Sequence, residues 1–383
     1  MTIETFIKKV IKKIRGGRVT LYPQSKPIGR VLLSYKTEPF FEFEKKEHIH
    51  TNIWECREIT RIFLKLGYVV DVIDWYNEYF KPKRKYKYFF DLGLNSNMER
   101  IGSLLNKDCV KIFHATTSHW CFNNNAEQER LVYLQKRRDV NLVPRRTLVS
   151  ALNIELADFA TVLGNDVTES TYSFAKKKMY HIPLSTTHMY PFPENKDIDK
   201  AKKNFVWLGG VGMVHKGLDL VLEAFAKLPE YQLFVCGNVQ KEKDFEKLYW
   251  NELYNTSNIK TLGKVDMGGD IFKNIAKTSI VLIYPSCSEG QSGAVVTCMH
   301  AGLIPVISYH SGVDVGDFGV ILKENTVEEV ENIVARIANM SNDELKKRSK
   351  EAWEYARKNH TRERFSKVFT KFVNMLEVEN KDN

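Results

Sequence analysis

The sequence predicts an α/β protein made of two doubly wound, parallel-sheet domains that face each other across a cleft. Short apolar runs such as Arg30–Tyr35, Tyr68–Ile73 and Ile280–Tyr284 alternate with stretches of helical length. That alternation implies βαβ crossovers and therefore parallel strands. The pattern breaks in 181–203, where Pro183, Pro191 and Pro193 give way to charge. Proline punctuation of this kind ends helices and strands and reads as a linker. At 383 residues the chain can bury a sizeable core on both sides of it.

Taken in order, Thr2–Arg18 comes first. Ile3, Phe6, Ile7, Val10, Ile11 and Ile14 share one helical face, and Lys8, Lys9, Lys12, Lys13 and Arg15 fill the other. Such a segment (1–18) reads equally as an anchor on an anionic membrane surface or as a helix packed on the protein's own body. The first domain, 19–195, is expected to hold strands at Arg30–Tyr35, Tyr68–Ile73, Tyr88–Asp91, Val110–Ala115 and Phe159–Leu163. Its helices are expected to end near Leu66 and to cover Asn97–Leu105, Glu127–Arg138 and Asp166–Lys176. Glu127, Arg130, Arg137 and Arg138 suit acid–base pairing on a surface helix, and Lys81–Lys87 a solvated basic loop.

The second domain, 204–360, repeats the pattern. Strands are expected at Asn204–Leu208, Gln232–Cys236, Ile259–Leu262, Ile280–Tyr284, Ile304–Ile307 and Val320–Leu322. Helices are expected at Gly217–Lys227, Phe245–Tyr254, Ile271–Ala276, Gly293–Ala301, Val327–Met340 and Asn342–Asn359, and Arg362–Met375 opens the final segment, 361–383. Ligands of such sheets sit at the strand carboxyl ends, in the cleft.

The charge of +10, from 57 Lys and Arg against 47 Asp and Glu, favours anionic partners. The basic residues are dispersed without interleaved aromatics, which argues against nucleic acid. The six cysteines are scattered with no C-x-x-C pair, the usage of a reduced, cytoplasmic protein without a disulfide frame or zinc site. No uninterrupted apolar core marks a signal peptide, and no stretch approaches membrane-spanning length.

Two loops carry chemistry. After Ile280–Tyr284 comes the small-residue loop Ser288–Gly293 (SEGQSG) and then a helix from Ala294. Free backbone N–H groups at such a helix start bind anions, and glycine lets a phosphate approach closely. Glu289 at the mouth of the loop is an acceptor when ionised and suits hydroxyl groups. A phosphate beside a polyol describes a sugar nucleotide. The second loop is Leu208–Gly217 (LGGVGMVHKG). It is no dinucleotide fingerprint, because His215 stands where a third glycine belongs and no acid ends the next strand.

The Glu289 loop resembles the E-x7-E region of retaining GT-B glycosyltransferases, the large family that includes bacterial lipopolysaccharide and mannosyl transferases. The resemblance implies that Glu289 meets the transferred sugar and that Gly290, Gln291, Ser292 and Gly293 hold the diphosphate. Thr297 stands at the place of the second, ribose-binding Glu. The family carries a Gly-Arg and then a Lys-Gly before the helix after its second-domain strand. Gly210 and Lys216-Gly217 match these, and Val211 occupies the Arg slot. Lys216 is then the diphosphate cation, with His215 a candidate second donor. Lys264 and Val265 fall in the segment that meets the nucleobase. In the first domain the resemblance points to a His after a strand, which is His114 with His119 in reserve, and to His50 and Asn52 on the acceptor side. The last helix would cross back to the first domain.

The function implied is a metal-independent, retaining hexosyltransferase with no cofactor. It would move a sugar from a nucleotide-sugar donor to a glycan or lipid-linked acceptor in polysaccharide or envelope assembly. It would work in the cytoplasm, at the inner membrane face. Asp197-Ile198-Asp199 has no flanking strand, and a metal role for it carries little weight. Two alternatives are a non-catalytic sugar-nucleotide or membrane-binding relative and a sugar-nucleotide epimerase, which needs further carboxylates in the cleft.

Overall fold

The computed structural model describes residues 17–41 and 50–379. The amphipathic stretch before residue 17 lies outside the described residues. The first sheet is formed by β1 (Arg18–Leu21), β2 (Gly29–Tyr35), β3 (Tyr68–Asp74), β4 (Tyr88–Asp91), β5 (Val110–Ala115), β6 (Phe159–Val162) and β7 (Met179–His181), in the order β1-β3-β2-β4-β5-β6-β7. All pairs are parallel except β1 on β3, where Arg18 sits opposite Ile73.

The second sheet is formed by β8 (Asn204–Leu208), β9 (Gln232–Cys236), β10 (Ile259–Gly263), β11 (Val281–Tyr284), β12 (Ile304–Ser308) and β13 (Val320–Leu322). Its order is β10-β9-β8-β11-β12-β13, parallel throughout. The strands read as continuous apolar runs because helices cover both faces, and β3, β4, β11 and β12 are buried at every residue.

Several elements differ from the sequence expectation. The edge strand β1 is only half-buried and has no apolar run to announce it. The helix expected at Glu127 begins at Trp120, through the polar run Asn123–Asn125. The Met179–His181 strand runs into the presumed linker, and the helix expected over Phe245–Tyr254 is split into Lys243–Leu248 and a π-turn at Asn251–Asn255. Asp197 caps the short helix Ile198–Ala201 by accepting from Lys200 N at 3.3 Å, and Asp199 lies 3.3 Å from the Lys202 ammonium, so both aspartates of the D-x-D have structural partners.

Helix Arg362–Glu379 packs on the first sheet's side. Phe365 meets Trp54 and Phe369 meets Phe90, with ring centroids 5.7 and 5.6 Å apart. Glu377 accepts from Tyr68 and Tyr88 hydroxyls at 2.8 and 2.7 Å. The helix Trp120–Arg138 is an interface and not the surface helix expected. Glu127 and Arg130 are buried, and Arg137 pairs with Asp219 at 2.6 Å and Glu223 at 3.2 Å. The acids face it from helix Leu218–Ala226, which a one-dimensional pairing pattern does not reveal. Among the described residues no helix is long and apolar enough to cross a membrane.

Candidate functional site

In the second sheet the strand order reverses between β8 and β11, and the loops leaving these two strands are the two singled out above. An open α/β sheet binds its ligand at such a switch point, because neighbouring crossovers go to opposite faces and leave a crevice. The loops are bolted together. Cys287 N donates to His215 O at 2.9 Å, the His215 ring bonds Ser288 O through Nε2 at 2.6 Å, and the Trp207 indole donates to Lys216 O at 3.2 Å. Gly217 has φ +72°, in the left-handed region, and a Cβ there would lie 2.5 Å from Pro285 O. Glycine is required at that point for both reasons.

This bolting brings Lys216 and Glu289 together across 73 positions of sequence. The Lys216 ammonium is bonded to Glu289 Oε1 and donates to the Tyr284 hydroxyl at 2.8 Å. Tyr284 in turn donates to Glu289 Oε1 at 2.8 Å, with Ser286 Oγ at 3.3 Å. Glu289 Oε1 is thus pinned, whereas among the described residues Oε2 accepts nothing. Burial by itself would raise the Glu289 carboxyl, but the Lys216 ammonium and then Arg146 outweigh it and hold the group down to about 2. Burial pulls the Lys216 ammonium below its usual range, while Glu289 opposes this and Arg146 adds to it. Far from an exposed helix-start lysine, Lys216 is 8 % exposed. The cluster is an ion pair that shows one free carboxylate oxygen to the cleft.

The other expected residues are placed as follows. Gly290 is pressed against protein: a Cβ would lie 2.2 Å from Thr116 O and 2.7 Å from Leu163 O. First-domain backbone fills the space a side chain would need and so accounts for glycine at this position. Gly293 begins the helix Gly293–His300 and is open, its nearest neighbour being Leu184 Cδ2 at 3.8 Å, and Ser292 is the residue before it. Gln291 accepts from Leu184 N at 2.7 Å, and Thr297 is buried in the same helix. Gly210 has nothing within 4 Å of a Cβ, Val211 is exposed, Lys264 is exposed and Val265 is packed against the core.

His215 is not a free donor. Burial takes it down to about 3, so the ring is neutral, and its Nε2–H is committed to Ser288 O. His114 lies in β5 one residue short of its end, with no exposed surface, its ring 5.1 Å from Phe90 and Nδ1 2.6 Å from Thr161 Oγ1. Burial lowers it to about 3, and Nε2 has no partner. No bond joins it to Lys216 or Glu289. His119 is held among Trp120, Tyr172 and Phe174 at 5.3, 5.4 and 4.8 Å. His50 caps the helix Thr51–Lys65 by accepting from Asn52 N at 3.3 Å, and Asn52 is half-buried beside it.

Three contributors were not foreseen. Tyr284, at the end of a strand read only as core, puts its hydroxyl into the ion pair. Ser118, after β5, donates to Glu289 O at 2.8 Å, and Thr168, after β6, to Gly290 O at 3.2 Å. A tyrosine closing an otherwise aliphatic strand was a usable signal. The serine and threonine had none.

Among the described residues one trio has metal-ligand geometry, Asp166, Glu169 and His181. His181 Nε2 lies 2.5 Å from Glu169 Oε2 and 3.9 Å from Asp166, and Nδ1 is 3.2 Å from Gly164 O. No bond links the trio to Lys216 or Glu289, and the His181–Glu169 hydrogen bond accounts for its geometry.

Residues 192–359 match the family model for glycosyl transferases group 1. The match spans most of the second domain, including both Lys216 and Glu289. No curated protein matches the chain in sequence. Sucrose-phosphate synthase from Thermosynechococcus elongatus superposes with a TM-score of 0.62 at 14 % identity, over 93 % of this chain and 100 % of that one. Anabaena HepE in complex with UDP and glucose gives 0.55 at 11 %, over 91 % and 99 %. S. aureus TarM, in a complex that includes UDP, gives 0.53 at 11 %, and the match covers 75 % of this chain but only 54 % of TarM. At such identities the likeness is one of fold, and the fold is GT-B: two Rossmann-like domains about a cleft.

Proposed function

We propose that the protein transfers a sugar from a nucleotide-sugar donor to a glycan or lipid-linked acceptor. The observation that carries this reading is the Lys216–Glu289–Tyr284 cluster at the switch point of a group 1 glycosyltransferase domain. HepE and TarM, alike in fold, hold UDP, which supports a nucleotide donor. In the transfer the bond from the anomeric carbon to the diphosphate breaks and one to the acceptor oxygen forms. The acceptor's proton leaves with the diphosphate. Charge accumulates on that leaving group, so a buried cation aimed at it is the largest single help the site can give. Lys216 supplies it, together with the helix start at Gly293. Glu289, kept ionised, accepts a sugar hydroxyl at Oε2 while Oε1 stays pinned. His114 would reach a ligand only through Nε2, after movement of its neighbours.

The finer reading is retention of anomeric configuration, no metal requirement and assembly of a polysaccharide or envelope glycan at the inner membrane face. Support for the last comes from the surface near residue 17. A Cβ on Gly17 would lie 2.5 Å from Asn77 Nδ2, and the stretch around Asn77, residues 76–85, exposes Tyr76, Tyr79, Lys81, Lys83, Arg84 and Lys85. Aromatic rings among cations suit an anionic leaflet.

The test is thermal-shift binding of UDP-, GDP- and ADP-sugars to the wild type, Lys216→Ala and Glu289→Ala, followed by turnover with the ligand that stabilises. A shift lost in both variants, with product formed by the wild type, supports the transferase. Binding without turnover supports the non-catalytic alternative. Product anomer by NMR, turnover in EDTA and flotation with anionic vesicles test the finer points one by one.

A further inference from the structure

Arg146 is the unabsorbed charge of the cleft. It follows the helix Trp120–Arg138 of the first domain, and that helix fastens its backbone on both sides. Arg146 N donates to both oxygens of Glu127 at 3.0 Å, and Arg146 O accepts from Asn123 Nδ2 at 2.8 Å. Two residues on, Leu148 exchanges bonds with the Asn124 amide at 2.8 and 2.9 Å. This explains why the helix opens on a polar run: the asparagines hold a loop.

The side chain then crosses to the second domain. A Cβ on Gly212 would lie 2.6 Å from Arg146 Cγ and 3.2 Å from Cδ, so the arginine stem lies over the loop that carries Lys216. That loop is clamped too, since Gly212 N and Met213 N donate to Glu242 at 2.5 and 3.1 Å. Neighbouring Arg145 is neutralised by Asp244 at 2.6 Å. Among the described residues the Arg146 guanidinium makes no hydrogen bond or ion pair, and its Nε is buried without a partner. A half-buried, positioned arginine whose fork is empty, beside the buried Lys216 ammonium, offers paired donors to an anion in the cleft. Glu289 faces both cations, and Glu127 also lies near Arg146, but its oxygens are occupied by the backbone N–H groups of Arg145 and Arg146. The guanidinium fork matches phosphate oxygens in pairs.

We propose that Arg146 is the second cation of the diphosphate site, supplied by the first domain across the cleft, so that a nucleoside diphosphate bridges the two domains. This rests on the donor reading above and deepens it. It also accounts for Val211, an exposed valine on the Lys216 loop where the family resemblance has an arginine: the cation has changed domains. Diphosphate affinity is then coupled to the domain apposition that the Arg137–Asp219 and Arg145–Asp244 ion pairs hold in place.

The test is calorimetric binding of UDP, GDP and ADP, and of the corresponding monophosphates, to full-length wild type, Arg146→Ala, Arg146→Gln, Lys216→Ala and the double variant Arg146→Ala/Val211→Arg. For the diphosphate that binds the wild type best, both Arg146 variants should lose about 10- to 100-fold in affinity, as for a charge-assisted hydrogen bond. The monophosphate should change less, and Val211→Arg should recover much of the loss. Unchanged diphosphate affinity in Arg146→Ala, with Lys216→Ala impaired, overturns the assignment and leaves the donor reading intact. A loss shared equally by mono- and diphosphate and not recovered by Val211→Arg marks a structural role and also overturns it. Absence of any diphosphate binding by the wild type overturns both.

Discussion

The two sheets of this protein reverse their strand order in the same way, yet their switch points hold opposite electrostatics. In the first sheet the reversal lies between β2 and β4, where Ser34, Asp91 and Asn97 meet. Asn97 donates to Ser34 Oγ at 3.1 Å and Gly93 N to Asp91 at 3.1 Å. Asp91 has no exposed surface, and burial raises it to about 7. His114 on the adjoining strand is lowered to about 3. In the second sheet Glu289 is also withdrawn from solvent, but Lys216 and Arg146 hold it down to about 2. Burial alone neutralises an acid or a base, whereas a cation in contact reverses the outcome for a carboxylate. Ionic chemistry therefore belongs to the second switch point, and the first is a polar core.

The largest test of this contrast breaks the ion pair. Lys216→Ala or Glu289→Ala should lower donor turnover by about 100- to 1,000-fold and stability by about 3–5 kcal/mol, because each leaves a buried charge unpaired. Lys216→Met/Glu289→Leu should recover most of the stability and none of the turnover. Recovery of turnover would show that the pair is structural. Denaturant melts and donor-consumption assays read both.

Next come the two loop glycines. Gly290→Ala must move the Thr116 or Leu163 carbonyl and should cost about 1–3 kcal/mol, while Gly293→Ala meets only a leucine methyl at 3.8 Å and should leave the melting temperature nearly unchanged. Equal effects would refute the claim that Gly290 contacts protein and Gly293 the cleft.

The pH profile separates the two regions by sign. Glu289 has its folded value below the ordinary 4.5, so its contribution is complete above pH 4.5 and is lost as pH falls towards 2. His114 acts in the same direction, from 6.5 down to about 3. Asp91 is raised, so its contribution is complete below pH 3.8 and is lost as pH rises through 7. Asp91→Asn should remove that alkaline loss, and its advantage in melting temperature over the wild type should grow between those limits. A constant offset would mean that Asp91 is not titrating. The smallest effect belongs to Ser118→Ala, which removes one cross-domain bond to Glu289 O and should cost about 1 kcal/mol, seen as a modest rise in the donor's KM.

Much of the fold was legible because burial on both sheet faces writes itself as apolar runs. Asn204–Leu208, Gln232–Cys236 and Val320–Leu322 match the strands residue for residue. β1 left no such trace, since an edge strand with half-buried residues needs no apolar run. Of the candidate site, Lys216 and Glu289 were legible separately, each marked by a strand, small residues and a helix start. Ser118 and Arg146 were not, because the groups they meet come from the other domain.

The sequence by itself determined two α/β domains, their strands and the loops that carry Lys216 and Glu289, since periodicity, glycine and proline act over a few residues. Only the tertiary structure decided that these two side chains form one buried ion pair, that Gly290 faces backbone and that His114 is sealed and neutral. It also decided that an arginine from the first domain lies over the second domain's loop. Those outcomes depend on distance through space and on the local dielectric, and neither is written in the order of the residues.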